Sequence, residues 1–334
     1  VAGLNMDEFA YGFATINARH GTTRNPADPA RLAGGSSGGS AAVVAGGVLP
    51  FALGSDTNGS IRVPASLTGI YGLKPTHGDL PMAGVFPFAH SFDDIGPFAG
   101  TVADMAAVWA VLSGRGAGFA GPVRVGRLGG RFRQNAHPAQ LATIDAIAAA
   151  FGTGDAPFLD LCDVACARSA AFLITACEGG RLHREQLARR AMDYDPATRD
   201  RLIAGALLPE ETYAQAQAFR AQARQQAIAA LAGVDVVLAP AAPCEAPLIA
   251  DPRILVDGAL VPARADLGIH TQPITFLGLP ALAVPLRRPT GLPLGLQLIG
   301  RPGAEPALFA LAAHLEGEGY LASLQSLPAQ ETAP

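Results

Sequence analysis

Residues 34–76 read GGSSGGSAAVVAGGVLPFALGSDTNGSIRVPASLTGIYGLKPT. Ten glycines and nine serines or threonines surround two short apolar runs, and only Asp56, Arg62 and Lys74 carry charge. That mixture describes tight turns between short buried elements, not a solvated surface. Ser40–Gly46 reads as a helix of small residues, Val48–Leu53 as a buried strand and Ser55–Pro64 as a loop. Two serines, Ser36 and Ser60, each adjoin a glycine. One helix and one strand of chain separate them, so their loops can fold back on each other. The chemistry this points to is a serine nucleophile with a helper group.

Three other readings compete. A flexible Gly/Ser linker does not fit, because the stretch runs directly into a buried helix and strand. A phosphate loop needs a lysine followed by Ser/Thr at the helix start, and none stands there. Residues 35–39 (GSSGG) match the G-x-S-x-G nucleophile elbow with Ser37 as nucleophile, but that turn needs a buried strand immediately before it. RNPADPARLA precedes it instead, a polar stretch with two prolines. Of the seven histidines, only His270 sits just before an apparent strand where it could serve such an elbow.

The remainder of the chain supplies the frame. With 334 residues, 49% hydrophobic and 16% charged, there is ample material for one large core. A net charge of −4 and no Lys/Arg cluster exclude nucleic acid as a direct partner. The apolar runs are too short and broken for a membrane span, and the start shows no secretion signal, so a cytoplasmic protein is expected. Cys162, Cys166, Cys177 and Cys244 read as buried free thiols, with no His or acidic pair at zinc-site spacing. No metal or organic cofactor has a recognisable site.

Coarsely, Met6–Phe13 reads as helix, Thr22–Ala30 and Phe92–Phe98 as loops, and Thr101–Ser113 as a helix with Thr101 as N-cap and Asp104 three residues on. Val123–Gly130 reads as a strand. Residues 139–231 are helical, most clearly Pro209–Leu231. Val234–Ala239, Ile274–Leu286 and Leu294–Ile299 read as buried strands, and Pro306–Gly317 as the last helix. Strands alternating with helices in continuous apolar runs predict an α/β sheet covered on both faces, in one domain.

GGSSGGSAA, LGSDTNGSIRVPAS, GLKPT, SFDDIGPFAGTVADM, DVVLAPAAP, QPITFLGLPALAVP and LPLGLQLIG together resemble the amidase signature family. The resemblance implies an amidase-signature fold, a mixed β-sheet sandwiched between helices, with 1–115 as the signature core, 116–232 as a helical middle section and 233–334 as C-terminal core strands and helix. It implies a Ser–Ser–Lys triad in which Ser60 is the nucleophile and Ser36, on a cis peptide, relays its proton. The backbone N–H groups of Thr57, Asn58, Gly59 and Ser60 would form the oxyanion hole. Ser37, Asp56 and Arg62 would support the loop, the last two as a buried charge pair.

The family's lysine precedes the segment that corresponds to Asn5–Phe9. The sole lysine of this chain, Lys74, is not at that position. The expectation is therefore an N-terminally truncated chain, inactive alone. Asn58-Gly59 before the nucleophile and the segment AAFLITACEGGRLH resemble the family branch acting on carboxybiuret, a small urea-like amide. That branch implies ammonia release, homodimerisation and a small companion subunit. The alternatives are the A component of a tRNA-dependent amidotransferase and a non-catalytic amidase-like subunit.

Overall fold

In the computed structural model, residues 2–161 and 163–326 are described. Seven strands form the central sheet: β1 (Phe51–Asp56), β2 (Tyr71–Lys74), β3 (Asp94–Ala99), β4 (Val125–Arg127), β5 (Val236–Pro240), β6 (Ala281–Pro285) and β7 (Gly295–Gly300). Their spatial order is β1-β3-β2-β6-β7-β5-β4. All neighbours run antiparallel except β4 and β5, so the sheet is mixed. Around it lie α1 (Gly38–Ala45), α2 (Arg62–Thr68), α3 (Val102–Ser113), α4 (Pro138–Ala150), α5 (Val164–Arg190), α6 (Pro196–Ala206), α7 (Glu210–Ala230), the short α8 (Ala263–Asp266) and α9 (Gln272–Phe276), and α10 (Glu305–Gly317). The expected α/β class and helix-covered mixed sheet are what is found.

β5 shows how the sheet is covered. Val236 and Leu238 pack into one core with residues of α3, α4 and α10. Val237 and Ala239 point the other way, into a core shared with α5, α7 and α9. A strand buried on both faces has no polar side to alternate with, which is why VDVVLA was readable as core. The helix at Thr101 also forms as expected: the Thr101 hydroxyl accepts from the Asp104 N–H at 3.0 Å.

Other expectations are corrected. Between Met6 and Phe13 only the turn Glu8–Ala10 is helical, and Phe9 and Ala10 have positive φ. The Asp7 carboxylate accepts from the N–H groups of Ala14 and Thr15, which reels the chain back before a helix can propagate. Part of the supposed loop at 22–30 lies in two short antiparallel ribbons that span residues 16–32, and residues 94–99 are the strand β3, not loop. Residues 274–286 hold a helix before the strand: Pro273 opens α9 and Gly278, at φ +67°, closes it. A short apolar run does not distinguish a buried helix from a buried strand.

The strand expected at 48–53 begins at Phe51 and ends at Asp56, at the sheet edge, with Phe51 and Leu53 each 46% exposed. Its outer edge is closed by serine hydroxyls. Ser40 Oγ donates to Leu53 O at 2.7 Å, while Ser37 Oγ donates to Ser55 O and accepts from Ser55 N. Cys177 is buried as expected, but Cys166 is exposed and Cys244 partly exposed; Cys162 lies outside the described residues. No helix among the described residues is long and apolar enough to cross a membrane.

Candidate active site

The carboxyl end of β1 delivers Asp56, and a short loop then carries Thr57, Asn58, Gly59 and Ser60 to the start of α2. Asp56 organises this loop. Its carboxylate accepts from Gly59 N at 2.6 Å and Ile61 N at 3.2 Å, and pairs with the Arg62 guanidinium through Nε at 3.0 Å and Nη2 at 3.1 Å. Both side chains are fully buried. Arg62 reaches on to Thr271 O, Gln297 Oε1 and Thr275 Oγ1, tying the loop to α9 and β7.

This geometry removes one expected oxyanion donor. The Gly59 N–H is occupied by Asp56, whereas those of Thr57, Asn58 and Ser60 have no acceptor among the described residues. Glycine is required at 59 for another reason: its φ is +131°, and a Cβ there would lie 2.0 Å from Thr271 Oγ1.

The other serine loop is held from the opposite side. The Gly35–Ser36 peptide is cis, and Ser36 O accepts from Asp7 N at 3.1 Å and Thr15 Oγ1 at 3.1 Å. A Cβ on Gly35 would stand 2.4 Å from Asp7 Oδ2. Ser37 N donates to Ser60 O at 3.2 Å, so the two serine loops join main chain to main chain. Ser37 Oγ is engaged with Ser55, and the strand before this turn (Asp28–Leu32) belongs to a two-stranded ribbon outside the central sheet. The elbow geometry is absent from this turn. Ser36 Oγ is buried with no partner among the described residues.

Ser60 lies on the wall of a narrow cleft with about 20 Å³ of open volume. Thr57, Asn58, Tyr11, Phe172, Thr175 and Gln272 share that wall with two arginines, Arg201 of α6 and Arg264 of α8. Arg201 lies over the Tyr11 ring at 3.9 Å, and its hydrogen bond to Tyr11 O is a long one of 3.4 Å. Burial pulls its guanidinium below the usual range. Arg264 donates to Thr198 Oγ1 at 2.9 Å but comes no closer than 3.9 Å to a carboxylate, Asp195 or Asp7, and its Nε has no partner among the described residues. Burial raises the Asp7 pKa above its ordinary value, against the opposing pull of Arg264. Among the described residues, the lining of the cleft itself includes no carboxylate.

Neither Arg201 nor Arg264 is among the site residues expected from the sequence. Arg201 and Arg264 sit in helices with no local signal, and only long-range folding brings them to Tyr11 and Ser60. Lys74 is buried against Asp94 at 2.7 Å and Pro75 O at 2.6 Å. Burial works against the Asp94 carboxylate, yet Lys74 and His77 hold its pKa below the ordinary value.

His270 has no nucleophile to serve. It is buried and Nε2 donates to Gln134 O at 3.0 Å, which leaves Nδ1 without a proton or, among the described residues, a partner. Burial pushes its pKa down to about 4. Between pH 6.5 and about 4 the unfolded chain binds a proton there that the folded chain does not, so stability falls as pH falls. The loss attributable to this ring is roughly 3 kcal/mol across that window. His270→Gln is expected to flatten that part of the stability–pH curve, measured by urea unfolding. An unchanged slope would contradict it.

The Amidase family model matches residues 1–121 and 163–309. The chain is 44% identical over 326 residues to AtzE of Pseudomonas sp. (strain ADP), a 1-carboxybiuret hydrolase subunit, covering 91% of this chain and 71% of that one. It is 35% identical to the A component of the glutamyl-tRNA(Gln) amidotransferase of Synechococcus sp. (strain RCC307), covering 95% and 73%. Among solved structures it is similar, with a TM-score of 0.90 and 43% identity over 96% of this chain and 74% of that one, to a chain of an inhibitor-bound vestigial protein complex that reveals the evolutionary origins of an s-triazine catabolic enzyme. Sheet, serine loops and relatives agree: the chain belongs to the amidase signature family and is an amide hydrolase closely related to carboxybiuret hydrolase.

Proposed function

We propose that this chain hydrolyses the C–N bond of a small, carboxylate-bearing, urea-like amide of the carboxybiuret type, with release of ammonia. One observation carries the reading: Ser60 shares its cleft with two guanidiniums, and the described lining of that cleft includes no carboxylate. In the proposed reaction Ser60 Oγ forms a bond to the carbonyl carbon as its proton passes to Ser36 Oγ. The proton of Ser36 passes in turn to a general base. The oxyanion is met by the N–H groups of Thr57, Asn58 and Ser60. Collapse breaks the C–N bond, the nitrogen leaves as ammonia after taking the proton, and water then cleaves the acyl-enzyme.

Lys74 is committed to Asp94, so the base is a different group. By the family resemblance it is a lysine other than Lys74. A small companion subunit belongs to the same reading and is supported by a solved relative that is itself a complex. The cleft's open volume admits little more than a water-sized group. A substrate must therefore displace wall contacts, and the long Arg201–Tyr11 hydrogen bond is the weakest of them.

Arg201→Gln and Arg264→Gln are each expected to weaken binding of N-carbamoylglycine, a small ureido acid, by about 10- to 100-fold in calorimetry. Binding of neutral biuret should barely change. Equal losses for acid and neutral ligand would sink the carboxylate assignment. The amidotransferase reading is favoured by 35% identity across 95% of this chain. Preference for glutamine over carboxybiuret in ammonia release by the enzyme with its base would establish that second reading instead.

A further inference from the structure

Asn58 has a side chain that the proposed reaction leaves unused. Its main-chain oxygen accepts from Thr271 Oγ1 at 2.9 Å, and its Nδ2 donates to Thr175 Oγ1 of α5 at 3.0 Å. The residue is 8% exposed and lies on the cleft wall with Ser60, Thr175, Arg201 and Arg264. Its carboxamide oxygen Oδ1 is buried and accepts from nothing among the described residues. Buried polar atoms are normally paired, so an orphan at a cleft wall marks a place for a ligand's donor. Arg264, on the same wall, carries the complementary orphan, an Nε–H without an acceptor among the described residues. Two residues of one wall thus leave an acceptor and a donor unpaired among the described residues.

We propose that Asn58 is a specificity-determining residue. Its Oδ1 accepts a hydrogen bond from the ureido N–H next to the scissile carbonyl, while the arginines take the carboxylate. The site thereby selects ureides over simple amides of the same length. This rests on the reading of the cleft as the substrate site. Thr175 fixes which end of the carboxamide faces the ligand. If its hydroxyl donated instead of accepting, Nδ2 would face the ligand and the preference for an N–H would vanish.

The test compares two acids with the same number of heavy atoms, N-carbamoylglycine and succinamic acid, in which a CH2 replaces the inner N–H. Binding of each to the full chain is measured by calorimetry. The wild-type protein is expected to prefer N-carbamoylglycine by about tenfold, the worth of one buried hydrogen bond. Asn58→Leu should bring the ratio to one or below. Asn58→Asp should weaken both acids by like-charge repulsion yet keep the preference, because it retains the acceptor. Circular-dichroism melts establish that each variant is folded, and Asn58→Ala, which adds no bulk, replaces the leucine variant if that one is not. Two acids that bind the wild-type protein equally, or a preference that survives in Asn58→Leu or Asn58→Ala, overturns the assignment of Asn58 alone. Binding of neither acid overturns the cleft as the acid site.

Discussion

Ser60→Ala is expected to lower ammonia release by about 10⁵- to 10⁶-fold, the scale on which loss of a nucleophile in an acyl-transfer triad is felt. Binding of small acids should be nearly unchanged, since the hydroxyl contributes little to holding the ground state. The measurement needs the enzyme carrying its general base and carboxybiuret as substrate. Ser36→Ala should cost less, about 10²- to 10⁴-fold, because it removes a proton relay but leaves the nucleophile in place. Ser37→Ala is the informative contrast. The Ser37 hydroxyl holds Ser55 N and O at the edge of β1, so its loss should lower stability by about 1 kcal/mol and the rate by less than about tenfold. Full activity in Ser60→Ala with none in Ser37→Ala would revive the elbow that the sequence of residues 35–39 suggests.

That contrast also shows where sequence reading ran out. The small-residue helix, the double-sided strands at 236–240 and 295–300 and the Thr101 cap were legible because each rests on local pattern: continuous apolar runs or a capping residue at fixed spacing. The turn at Glu8–Ala10 was not, because it is imposed by Asp7 reaching forward to Ala14 and Thr15. Nor was the exposure of Phe51 and Leu53, since an apolar run does not say whether its strand will be interior or at an edge. Ser36 and Ser60 could be found from glycine context and resemblance. The loss of Gly59 as an oxyanion donor depends on a carboxylate three residues earlier turning back onto its N–H. Arg201 and Arg264 depend on chain 190 and 253 positions from Tyr11.

Arg62→Met is expected to destabilise the fold by about 3–5 kcal/mol, because it leaves Asp56 fully buried and unpaired. For a chain of this size that corresponds to about 4–7 °C in melting temperature. Asp56→Leu should cost a similar amount, since it strands the guanidinium and frees the Gly59 and Ile61 N–H groups. The double variant Asp56→Leu/Arg62→Met decides what kind of interaction this is. A buried pair contributes less than the penalty of breaking it one-sidedly, so the double variant should be less destabilised than the sum of the singles, by about 1–3 kcal/mol. Stability regained in the double variant should not restore catalysis. Asp56 holds the loop between Gly59 and Arg62 in shape around Ser60, and neither leucine nor methionine can accept from Gly59 N. Urea unfolding and ammonia release on the same three variants would separate the two roles. Strict additivity of the stability losses, or a double variant that recovers activity along with stability, would show that Asp56 and Arg62 do not brace the nucleophile loop as a pair.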